Sequence, residues 1–159
     1  MNSMMNNVYP LFEMYQALRT QLMDILSDGD LSYSPGSENL TLGELCREIG
    51  ETERSYIKSF QTFKQDFKYR NQKPGLTESV TNLKAWYQEL DSELKSAVSD
   101  LTDEDINSQV IDRNPDFQVH ANIQLEIYKE ALLIFYGKSS VYLKALGKEL
   151  PQQWRDWIN

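Results

Sequence analysis

The side chains in this sequence that could do chemistry are mostly carboxylates. Glu44, Glu48 and Glu51 fall within two helical turns of one another, and Glu126 and Glu130 lie four residues apart, the spacing at which helical side chains share a face. Five carboxylates on two helices invite comparison with carboxylate-bridged metal bundles. Those sites require E-x-x-H pairs projecting inward, and this chain has one histidine, His120. His120 precedes the last helical stretch and reads as a loop or helix-entry residue. Cys46 is the single thiol, which excludes an intrachain disulfide and any cysteine-based metal cluster. With no histidine near it in sequence to act as a base, Cys46 reads as an inert, partly buried helix residue. Glu48 is the most informative position, because it borders the Leu45, Ile49, Thr52 stripe. On a solvated flank it would do nothing. Facing a cavity, it would lose solvation, favour its neutral form and become a proton or hydrogen-bond donor.

The elements that position these residues read as four long amphipathic helices, separated by segments rich in Gly, Pro, Ser, Asn and Asp. Residues 1–6 are expected to be disordered. The first helix is expected over about 10–27, with Leu11, Tyr15, Leu18, Leu22 and Ile25 as its buried stripe. The second starts at Thr41, where Thr41 and Glu44 form a T-x-x-E capping box. Its stripe runs through Leu42, Leu45, Ile49, Tyr56, Phe60, Phe63 and Phe67, ending near 69–75. A third helix is expected over about 77–98 and a fourth over about 122–146, stopped by Gly147. Between them, 101–120 reads as a folded loop, with a helical turn at 102–106 and an extended piece around Val110 and Ile111. Four stripes of similar length imply an all-α four-helix bundle forming a single domain over 1–159. Trp154 and Trp157, one turn apart after Pro151, would cover an end of that bundle or a partner.

Composition narrows the function classes. A formal charge of −8 without a basic helix face opposes binding to a phosphate backbone, so no nucleic-acid partner is expected. No apolar run approaches the ~20 residues that span a bilayer, and the first residues lack the pattern of a signal peptide. A cytoplasmic location and no membrane partner are therefore expected.

Two segments carry a family resemblance. TLGELCREIGETERSYI, residues 41–57, and FYGKSSVYLKALGKELP, residues 135–151, resemble the second and last helices of DinB-like (DinB/YfiT superfamily) proteins. Gly137, Tyr142, Leu143, Lys144, Leu146, Gly147 and Pro151 keep the family's frame in the last helix, and Leu101-Thr102-Asp103-Glu104-Asp105 is similar to its loop after the third helix. The resemblance implies a four-helix bundle and a zinc or nickel ion held by one histidine from the second helix and an H-x-x-x-H pair from the last. It also implies thiol-dependent transferase or isomerase chemistry and a link to stress responses. The matching positions here are Glu48, Ala131 and Phe135. Two of these have no donor atom, so no metal or other cofactor is expected. Phe135 either plugs the former site or lines an apolar pocket with Ala131, Tyr128 and Tyr136. The expectation is a homodimeric, non-catalytic module that binds a small molecule or a protein. The alternative is a metal-dependent thiol transferase or hydrolase using a displaced site around Glu48.

Overall fold

The computed structural model describes residues 1–158. Ser3–Asn7 form a short helix α1, followed by α2 (Tyr9–Ile25), α3 (Leu42–Thr62), α4 (Val80–Ser99), α5 (Asp103–Ser108), a hairpin of β1 (Ile111–Asn114) and β2 (Phe117–Val119), α6 (Ala121–Ala145) and α7 (Gln152–Trp157). The long helices α2, α3, α4 and α6 make the bundle, with α3 packed against both α4 and α6, and α2 against both as well. Among the described residues, no helix is long and apolar enough to cross a membrane.

Residue pairs across the bundle fix its directions. Glu13 pairs with Lys95 and Asp24 with Lys84, so α2 and α4 are antiparallel. Tyr87 donates to the Cys46 carbonyl and Arg54 pairs with Glu93, so α3 and α4 run parallel. Two successive parallel helices need a connection as long as themselves, and residues 64–79 supply it by running back along α3. Asn71 N–H donates to Glu51 Oε1 at 3.0 Å on the way, and at the far end a Cβ on Gly43 would come within 2.0 Å of the Thr77 carbonyl oxygen. The small residue at 43 is what lets the returning chain lie against α3.

Helix ends follow local chemistry. At α3 the Thr41 hydroxyl accepts from Glu44 N–H while Glu44 Oε2 accepts from Thr41 N–H, the capping box read from the sequence. The same device at Thr102 and Asp105 opens α5.

Several expectations are corrected. Residues 1–6 are not disordered: the buried Asn2 caps α1 and donates to the carbonyls of Val98 and Leu101, and Met4 and Met5 enter the core. The helix expected to reach 69–75 ends at Thr62, because Phe63 turns left-handed (φ 55°) and the next residues join the hairpin, Gln65 N–H donating to the Asp112 carbonyl. Phe67 is consequently exposed. Within 101–120 the expected helical turn and extended piece are present as α5 and β1, and what was not expected is β2, which closes β1 into a hairpin that pairs Ile111 with Val119 and buries both. Leu11 faces solvent, its place in the core taken by Phe12. Of the two roles open to the tail, covering its own bundle is the one seen for Trp154, which is fully buried with its indole N–H donating to the Leu18 carbonyl.

Candidate functional site

Glu48, Ala131 and Phe135 are brought together along the seam between α3 and α6, where they line a hollow of about 150 Å³ with Leu45, Ile49 and Lys138. The helices are antiparallel here, as Ser59 and Gln124 hydrogen-bond at the other end of the seam, so the N-terminal half of α3 faces the middle of α6. Phe135 and Ile49 are buried and form the floor, while Glu48 and Lys138 are exposed at the rim. Two further hollows continue the groove and share Glu48. One of about 320 Å³ runs under Pro35, Leu40 and Tyr142; the other, about 310 Å³, lies toward Arg47, Phe67 and Arg70. The Tyr142 hydroxyl donates to the Leu40 carbonyl and so ties the 33–41 segment to α6 as the groove's far wall.

The hollow at Ala131 and Phe135 holds one carboxylate, one ammonium group, the Thr52 hydroxyl and an apolar floor. That donor set does not fit a transition metal, which needs about three protein ligands. Among the described residues, no three His, Cys, Asp or Glu side chains come together as a ligand set. Glu48 lies exposed at the rim of the hollow and is not enclosed in it.

The remaining candidates disperse. Glu44 caps α3, and Glu51 is buried as the anchor of the returning segment, beside Arg47 and Arg70. Glu126 pairs with Lys129, and Glu130 is exposed on the outer side of α6. His120 precedes α6 with its ring Nδ1 3.0 Å from the Gln109 carbonyl. Cys46 is fully buried, which pushes its thiol up to about 12 and leaves it unreactive. Tyr128 and Tyr136 line none of the hollows around Glu48: Tyr128 stacks on Tyr56 with ring centroids 4.8 Å apart, and the Tyr136 hydroxyl donates to the Tyr15 carbonyl. Burial raises both phenols.

Sequence reasoning missed the bundle's buried ionic centre. The Arg19 guanidinium pairs with Glu53 and with Asp91, lies 4.1 Å from the Tyr87 ring centroid, and is almost completely buried, as is Glu53. Gln16 donates to Glu53 and to Asp91. Burial raises the Glu53 carboxyl to about 7, opposed by Arg19 and reinforced by the Asp91 charge. The Tyr9 and Tyr128 hydroxyls are buried without a hydrogen bond of good geometry. Arg19, Glu53 and Asp91 line none of the hollows around Glu48. A signal was present: Ile49, Glu53, Tyr56 and Phe60 follow the helical period, so the apolar stripe of α3 has a glutamate in it.

No family model matches the sequence, and no curated protein is similar to it in sequence. Solved structures are similar in three dimensions. A DinB-like protein, YjoA, from Bacillus subtilis superposes with a TM-score of 0.70 at 19% identity, covering 88% of this chain and 92% of that one. A DinB-like protein from Bacillus cereus ATCC 10987 gives 0.70 at 20% identity, covering 87% and 90%. The up, down, down, up order of the four long helices, the groove between α3 and α6 and these two superpositions lead to one conclusion: the chain has the all-α, DinB-like fold.

Proposed function

We infer that this protein is a non-catalytic binding module, homodimeric and cytoplasmic, which takes a small amphipathic molecule in the groove centred on Glu48. The observation that carries the reading is the set of residues at the seam. The positions where the resemblance implies metal ligands are Glu48, Ala131 and Phe135, and they line one hollow whose floor is apolar. An aromatic ring, a methyl group and flanking aliphatics offer contact area, while Glu48 and Lys138 offer orientation by charge, the usual division of labour in a ligand site. Transferase or hydrolase chemistry at a displaced site around Glu48 has less support, since of the carboxylates nearest it on α3 Glu44 caps the helix and Glu51 holds the returning segment.

The experiment is binding of 1-anilinonaphthalene-8-sulfonate, whose rings match the floor and whose sulfonate matches Lys138. The wild type should enhance the dye's fluorescence saturably. Ala131→Trp, which fills the hollow from a half-buried position, should abolish that enhancement while the fold persists by circular dichroism. Equal enhancement by both proteins would refute the groove as the binding site.

A further inference from the structure

The outer face of α6 is not built like a solvated helix face. Ile134 and Val141 are 60% and 59% exposed and Ile123 is 45% exposed, with Ile127 half-buried between them. At ~100° per residue these four fall in one narrow sector opposite the core-facing Leu125, Leu132 and Leu143. The row is also symmetric about Ile134. Glu130 and Lys138 lie four residues to either side, Ile127 and Val141 seven, and Ile123 and Ala145 eleven. The small Ala131 and Gly137 lie three to either side. Glu130 and Lys138, about 12 Å apart along the helix axis, are too far apart to pair with each other, and neither forms an ion pair among the described residues. Gly137 weakens the middle of a helix, yet a Cβ there would meet nothing within 4 Å, so nothing inside the chain accounts for it.

We propose that this face binds a second copy of the same chain, the two α6 helices crossing antiparallel on a two-fold axis at Ile134. A two-fold interface must be complementary to itself, and this row is so in both size and charge. Each Ile134 meets the partner's Ile134, and Ile127 packs on the partner's Val141. Glu130 faces the partner's Lys138, and Lys138 faces the partner's Glu130. Parallel pairing would instead set like charges against each other. Ala131 and Gly137 leave room for the two backbones to approach at the crossing. Because Ile134 and Lys138 also line the groove, the second α6 stands beside its mouth, where Lys138 borders both the hollow and the partner. The inference deepens the module reading by giving its homodimer a face and a register. It rests on the outer face of α6, so the dye experiment can fail while the pairing holds.

The test is sedimentation velocity on the full chain across the micromolar range, with the fold of each variant checked by circular dichroism. The wild type should sediment as a dimer of the 18.5 kDa chain, and Ile134→Glu as a monomer. Glu130→Lys and Lys138→Glu should each weaken dimerisation about tenfold or more, and the two together should restore it, since the swap re-forms both ion pairs across the axis. All of these sites are exposed, so the variants should keep the fold. A wild type that stays monomeric overturns the proposal, as does a dimer that survives Ile134→Glu. A double swap no better than the single ones overturns the antiparallel register.

Discussion

Charge at single residues divides this molecule into an inside and an outside that sequence alone describes unevenly. Glu48, Ala131 and Phe135 could be placed on one seam through the family resemblance, whose metal-ligand positions they match, while helical period and a capping box located the two helices that carry them. Arg19, Glu53 and Asp91 could not, because a charged residue is assigned to solvent unless a partner is known, and each partner here sits on a different helix. The ionic centre has a measurable consequence. Glu53 is raised to about 7 when folded, above the ~4.3 of a free glutamate, so between those values the folded state binds the extra proton. Stability contributed by this group is therefore fully present below about pH 4.3 and declines as pH rises toward 7. Urea midpoints measured from pH 4.5 to 7.5 should carry this downward component in the wild type and lack it in Glu53→Gln. An identical pH profile in the two proteins would show that Glu53 titrates normally.

At the scale of elements, the four long helices were legible because each buries one stripe at a 3.6-residue period. The rest depended on long-range contacts. α1 exists because Asn2 and two methionines find partners on and beyond α4. α3 stops at Thr62 because the following residues pair with β1 rather than continue the helix. The parallel run of α3 and α4 was equally hidden, since it depends on two small residues, Gly43 and Gly50, seven apart on one face of α3. A Cβ at Gly50 would sit 2.3 Å from the Trp86 ring. Gly50→Ala should therefore destabilise the protein by about 1–3 kcal/mol through overpacking, outweighing the ~1 kcal/mol that alanine gains in a helix interior. The check is a urea or thermal midpoint. An unchanged or raised midpoint would mean that α3 and α4 do not approach so closely.

For the whole molecule, a DinB-like fold carries a groove between α3 and α6 lined by Glu48, Ala131 and Phe135. The fold was legible from two short segments, since Thr41 to Ile57 and Phe135 to Pro151 carry enough of the frame to imply the architecture. The groove's extent was not, because its far wall is the 33–41 segment, whose position depends on the bond from Tyr142 to the Leu40 carbonyl. The most direct measurement is a zinc titration of the wild type beside the triple variant Glu48→His, Ala131→His, Phe135→His, followed by stoichiometry and thermal midpoint. The account predicts that the wild type binds no stoichiometric zinc. The variant should start less stable by about 1–3 kcal/mol from disturbed packing, then bind one zinc through three imidazoles at about 2.0–2.1 Å and recover its midpoint. One equivalent of zinc on the wild type, or a folded triple variant that binds none, would contradict it.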